Sequence, residues 1–163
     1  MADWSTAYNW MMDNEDSARA YAVVSDVGGH AISGINSAVF PGEFEAIAAL
    51  AQDERAVAVE QFYQRTFWNQ CYAALESDEV AKRVFDAAVN QGPRLAVEML
   101  QSAAGCQVDG CWGPVTVETV NAGNTERIIA AFQQQRVFRY HALVAANPAL
   151  QPDLEGWLAR ANR

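Results

Sequence analysis

Residues 11–37 read MMDNEDSARAYAVVSDVGGHAISGINS, and the fold turns on how that stretch is understood. The segment before it is patterned as a helix. Inside it the spacing breaks: Glu15 opens a polar run, Gly28 and Gly29 are adjacent, and His30 and Asn36 follow. Val23–Val24, Ala31–Ile32 and Ile35 are short apolar pieces set among Gly, Ser and Asn, which reads as brief strands or extended loop. Such a stretch is either plain connection or one wall of a cleft, and its surroundings must decide.

On its N-terminal side, WSTAYNWMMDN places Ala7, Trp10 and Met11 at helical spacing behind a Ser-type cap, Ser5. On its C-terminal side, Pro41 opens PGEFEAIAALAQ as a helix with proline in the first turn. DERAVAVEQFYQRTFWNQ comes next, with Asp53 as cap and Val57, Phe62, Tyr63 and Phe67 as apolar positions. SDEVAKRVFDAAVNQG has Ser77 as cap and acids in its first turn. Its buried stripe is Val80, Val84, Phe85, Ala88 and Val89, and Gly92 is its stop. PRLAVEMLQSAAG repeats that design to Gly105. CQVDGCWGP reads as a DG hairpin before Pro114 opens another helix. A long helix is expected over Thr125–Asn147, and prolines at 148 and 152 bracket the way into LEGWLARANR. The expectation is a mainly α chain with a small β or irregular region near each glycine-rich stretch.

At 163 residues the chain is long enough to bury a real core, and 51% hydrophobic with 19% charged residues is ordinary for a globular protein. No apolar run approaches a membrane span. The N-terminus lacks the basic start and apolar stretch of a secretory signal. The net charge is −9, and residues 1–60 hold ten acids against Arg19 and Arg55. So acidic a first third argues against nucleic acid as a partner, since that needs a basic face. Cys71, Cys106 and Cys111 show no metal-ligand spacing, so neither a metal nor a cofactor is expected. Cys106 and Cys111 flank QVDG and are either two inert thiols or, in an oxidising compartment, a disulfide.

The sequence shows no GxSxG elbow and no phosphate-cradling glycine loop, and Cys71 sits in a helical, Tyr-flanked context. Carboxylates remain. Glu15 lies where the first helix should end, and a Glu partly withdrawn from water can hold a proton for glycosidic cleavage. Asp26 is further along, beside glycines that let backbone approach a substrate. Taken alone, Glu15 is equally a charge at a helix end and the glycine pair a tight turn. Tyr63 and Trp68 do not share one helix face, so one of them is free to line a groove, where sugar rings pack on aromatic faces. Asp86 and Asn90 share a face, either as a buried hydrogen-bonded support or as part of a cleft floor.

The order of these motifs resembles one family. Glu15, DVGGHAISGIN, FYQRTFW, FDAAVNQG, LQSAAGCQVDGCWGPVT, FRYHAL and GWLAR together resemble glycoside hydrolase family 108, lysozyme-like enzymes with a small C-terminal peptidoglycan-binding-like region. The resemblance runs from Glu15 to Arg160, and its most specific pieces are LQ…DG.WGP.T and GW..R. It implies one lysozyme-like domain over 1–163, with a catalytic part over about 1–92 and a peptidoglycan-binding-like part over about 93–163. It also implies hydrolysis of the β-1,4 glycan of peptidoglycan. Glu15 takes the place of the family's catalytic Glu, although Asp16-Ser17 stand where the family has Gly-Gly.

On that reading Glu15 is the general acid and Asp26 a second carboxylate. Gly28, Gly29, His30, Asn36, Tyr63, Trp68 and Asn90 are the candidate sugar contacts. A muramidase is expected ahead of an N-acetylglucosaminidase. The alternative is a wall-binding or secretion-assembly protein without catalysis. A wall enzyme made in the cytoplasm without an export signal would reach periplasm or wall through holin-type release, as an endolysin. The other route is a specialised machine of the type VI kind, as an antibacterial effector whose producer carries an immunity partner. The effector route is expected.

Overall fold

The computed structural model describes the chain except Val27 and Asn69 and the side chains of Asp26, Gln70 and Cys71. The fold is mainly α and lysozyme-like. It divides into two compact units, Asp3–Asn69 and Gln70–Arg163, the second also taking Met1–Ala2.

The first unit opens with α1, Trp4–Glu15. Its cap is Asp3, whose carboxylate accepts the Thr6 N–H at 2.6 Å, and Ser5 lies inside the helix. An ionised acceptor at the positive helix end outcompetes a hydroxyl two residues on. The helix buries Ala7, Tyr8, Met11 and Met12. The quoted stretch then forms β1 (Val23–Asp26), β2 (Gly29–Ile32) and β3 (Ile35–Asn36), an antiparallel sheet in the order β1-β2-β3. Helix α2 (Pro41–Ala48) packs on β2 and β3. Helix α3 (Arg55–Thr66) comes after a 3-10 turn, Gln52–Glu54, so Asp53 lies within that turn rather than capping the helix. Val59, Phe62 and Tyr63 are buried, whereas Val57 is exposed. Phe62 holds Phe40 and Tyr63 edge-on, with centroids 5.0 and 5.2 Å away.

The second unit contains α4 (Gln70–Ala73), α5 (Asp78–Gln91), α6 (Pro93–Ala104), α7 (Pro114–Ala122), α8 (Thr125–Ala146) and α9 (Leu154–Ala161). Ser77 caps α5 as expected, and Gly92 takes φ 97° to turn the chain into α6. Two buried polar hubs hold these helices. Asp86 on α5 is fully buried between two guanidiniums, Arg136 of α8 at 2.9 Å and Arg160 of α9 at 2.8 Å. Beside it Tyr140 donates to Asn90 and stacks on Trp157 with centroids 5.2 Å apart. Asp86 is a buried support, whereas Asn90 is exposed and meets Tyr140 at the edge of the same cluster.

Gln101 of α6 is the other hub. Its Nε2 reaches Asp109 Oδ1 (2.8 Å), the Cys111 carbonyl (3.0 Å) and Thr116 Oγ1 (3.1 Å). Its Oε1 accepts the N–H groups of Asp109 and Gly110. The DG stretch is therefore a loop and no hairpin: one side chain satisfies the backbone groups that strand pairing would have used. Cys106 and Cys111 are free thiols, directed at the carbonyls of Gln101 and Asp109. Cys71 lies outside the described side chains. No helix among the described residues is long and apolar enough to cross a membrane.

Removing Asp86 strands a charged Arg136 that is 1% exposed. Asp86→Ala is expected to destabilise the protein by about 3–5 kcal/mol, the cost of breaking one side of a buried ion pair. Urea denaturation checks it, and a loss under about 1 kcal/mol, the worth of one ordinary hydrogen bond, would contradict the hub.

Candidate functional site

Helix α1 ends at Glu15 because Asp16 leaves the helical region at φ −155°. Asp16 then organises the loop behind the helix. Its carboxylate accepts the N–H groups of Ala20 (3.0 Å) and Tyr21 (2.8 Å) and the Ser33 hydroxyl (2.7 Å). Arg19 folds back onto the Asp16 carbonyl at 2.9 Å and pairs with Asp13 at 2.8 Å. Burial alone would raise the Asp16 carboxyl. The hydrogen bonds from Ser33, Ala20 and Tyr21 and the charge of Arg19 outweigh it and hold the group below its usual range.

The Asp16–Ser33 bond ties the end of α1 to the turn between β2 and β3. Ile32 pairs with Ile35, and Ser33 and Gly34 between them have φ 46° and 83°, both positive as in a two-residue type I′ turn. Tyr63, buried on α3, donates from its hydroxyl to the Ser33 carbonyl at 2.7 Å. Gly34 lies under the Glu15 carboxylate. A Cβ there would overlap Glu15 Oε2 and stand 2.9 Å from its Cδ and 2.7 Å from Tyr63 Oη. Glu15 is half-buried, with one face against bare backbone.

An aromatic wall extends from Tyr63. Tyr8 lies 6.4 Å from it by centroids, Trp4 stacks on Tyr8 at 5.2 Å, and Trp68 meets Trp4 at 5.5 Å. Burial, together with Tyr21 and Glu60, pushes the Tyr8 phenol well above its ordinary value. The indole of Trp4 donates to Glu60 at 2.9 Å. A groove of about 510 Å³ runs along the same loop, lined by Arg19, Ala20, Tyr21, Gln52, Asp53 and Ala56. Gln52 and Arg55 fix its rim by donating to the carbonyls of Ala20 and Tyr21.

The expected site residues separate into groups. Glu15 and Tyr63 come together, and Trp68 joins the aromatic wall, half-buried. Gly28 and Gly29 sit at the β1–β2 turn, the opposite end of β2 from Gly34. At that end the Asn36 amide donates to the Gly28 carbonyl at 3.3 Å and its Oδ1 accepts the Ala38 N–H at 2.7 Å. His30 is exposed, 2.8 Å from the Ser25 hydroxyl and beside Phe44. Asn90 belongs to the second unit. The Asp26 side chain lies outside the described residues. In the sequence Gly34-Ile35 matches the glycine motif of the resemblance and Ser33 stands near His30, but nothing marks Asp16 and Ser33 as partners or Gly34 as the seat of Glu15, although Ser-Gly between two isoleucines is a turn signal. Among the described residues no group of three His, Cys, Asp or Glu could hold a metal ion.

Residues 12–92 match the family profile described as Glycosyl hydrolase 108, and residues 95–162 match the one described as Predicted Peptidoglycan domain. No curated protein matches the chain. Among solved structures it is similar to one titled "Structure of Brucella abortus SagA". The two are 24% identical over 98% of this chain and 90% of that one, with a TM-score of 0.71, a likeness of fold.

This geometry has two measurable consequences. Gly34→Ala should cost about 1–2 kcal/mol of stability from its positive φ, and more from the overlap of its Cβ with Glu15. Gly42→Ala, which meets nothing within 4 Å and lies in α2, should be neutral or stabilising, and a Gly34→Ala protein with the urea midpoint of wild type would contradict the close approach. Because the folded Asp16 carboxyl lies below its unfolded value, its anchoring is fully present above roughly pH 4. It is lost as pH falls through the lower, folded value. Between pH 5 and pH 3 the urea midpoint of wild type should therefore drop more than that of Asp16→Asn; parallel curves would remove the anchor.

Proposed function

Over residues 12–92 the chain belongs to the glycosyl hydrolase 108 family and over 95–162 it carries the peptidoglycan domain, and we propose that it is a muramidase with Glu15 as its general acid. Its action as a glycosidase on peptidoglycan rests on those two matches. The observation that carries the general-acid assignment is Glu15 lying directly on Gly34, beside the Tyr63 hydroxyl. A carboxyl so placed has one side set by packing against Gly34.

In the proposed reaction Glu15 protonates the glycosidic oxygen as its bond to the anomeric carbon breaks, the departing sugar leaves with a hydroxyl, and positive charge develops on the ring that keeps the anomeric carbon, where water finally adds. Tyr63 acts by position: it holds Ser33, and through it the turn on which Glu15 rests. Asp16 is taken up by backbone and Ser33, which suits an anchor and not a base. Asp26 is proposed as the second carboxylate, from its place on β1. Arg19 and Tyr21, which line the groove beside the loop, are proposed to meet neighbouring sugars. We further propose that the enzyme reaches the wall through a specialised secretion machine, and that an inhibitor in the producer covers the Glu15 site. The acidity of the first sixty residues supports a basic partner there.

Glu15→Gln keeps the shape and removes the transferable proton. Release of soluble fragments from purified peptidoglycan should fall by roughly two orders of magnitude or more, with the thermal midpoint unchanged. Undiminished release by a folded Glu15→Gln protein would sink the assignment.

A further inference from the structure

Three grooves of about 450, 600 and 510 Å³ meet on the outer face of α8. Gln134 lines all three, and Phe138 stands between the second and third. The inner face of α8 is settled by Ile128, Phe132, Arg136 and Tyr140, all buried. Phe138 is 77% exposed, the one aromatic ring among the exposed large apolar side chains described. Near it stand Gln135, Arg139 and His141, and Arg127 lies two turns before Gln134.

The charge of this face departs from that of the chain. The protein carries a net −9, yet no Asp or Glu lines any of the three grooves. Arg127 and Arg139 have no ion-pair partner among the described residues. An exposed ring, primary amides and unpaired guanidiniums, with carboxylates excluded, is the complement of an anionic, acetamido-bearing sugar polymer. Apolar sugar faces stack on aromatic rings, amides exchange paired hydrogen bonds with acetamido groups, and guanidiniums take carboxylates bidentately.

We propose that the outer face of α8 binds the glycan strand of peptidoglycan, with a sugar ring on Phe138, acetamido groups on Gln134 and Gln135, and lactyl or stem-peptide carboxylates on Arg127 and Arg139. From Arg127 to Arg139 the face spans roughly 18 Å along the helix, room for a run of sugars rather than one. This rests on the reading that the chain works on peptidoglycan. It assigns to this face a docking role separate from bond cleavage at Glu15.

The test uses the full chain carrying Glu15→Gln, so that binding is read without cleavage, and sedimentation with purified sacculi. Phe138→Ala, and separately Arg127→Ala with Arg139→Ala, should each weaken retention on the order of tenfold, as for loss of a central contact. The arginine pair should also flatten its salt dependence. Retention unchanged in both variants would overturn the proposal even if the enzyme cleaves glycan. Absence of glycan cleavage by wild type would overturn the catalytic reading while leaving retention measurable. A wild-type dimer that Phe138→Ala converts to monomer in light scattering would give the face to a second copy and overturn the proposal.

Discussion

The hydrogen bond from Ser33 to Asp16 is the contact on which the candidate site depends, because it joins the end of α1 to the turn between β2 and β3. Neither element holds its shape alone. Two strands of four residues and one of two are too short for independent stability. The loop after Glu15 places Arg19 and Tyr21 in left-handed backbone, and Ser33 is left-handed as well. Strain of this kind costs about 1–3 kcal/mol per residue and persists only where the surroundings over-determine it. Asp16 supplies that constraint by accepting the Ala20 and Tyr21 N–H groups of the loop and the Ser33 hydroxyl of the turn, and the Tyr63 hydroxyl by donating to the Ser33 carbonyl. The consequence is a fixed seat for Glu15 on Gly34.

The second unit uses the same physics for another end. A buried polar group is destabilising when half-satisfied and specific when fully satisfied. Gln101 answers five partners in a loop too irregular to pair with itself, and Asp86 answers two arginines from different helices. The inner face of α8 is thereby spent on structure. Its outer face keeps Phe138 in water.

Helix positions were legible because apolar spacing and end signals agree, as at Ser77, Gly92 and Gly105. The resemblance carried by LQ…DG.WGP.T and GW..R was legible for a physical reason visible only in the structure. Gln101, Asp109 and Thr116 form one hub, Trp157 stacks on Tyr140, and Arg160 clamps Asp86. Those residues are constrained by packing more than by substrate. The site was legible at Glu15 and less so around it. Asp16 breaks the glycine pattern and reads as a departure, yet its long-range partner Ser33 is seventeen residues away, beyond any local spacing rule. Gly28–Gly29 drew attention as a pair, whereas the close approach falls on the single Gly34, whose need for a missing Cβ is set by Glu15 in three dimensions.

The most direct test of the account is the chemistry of the ends that the enzyme creates. Purified peptidoglycan digested with the wild-type chain is reduced with borohydride and the fragments are analysed by mass spectrometry. The account predicts new reducing termini on N-acetylmuramic acid and no new amino groups. Fragments with new amino termini, or with reducing ends on N-acetylglucosamine alone, would contradict it.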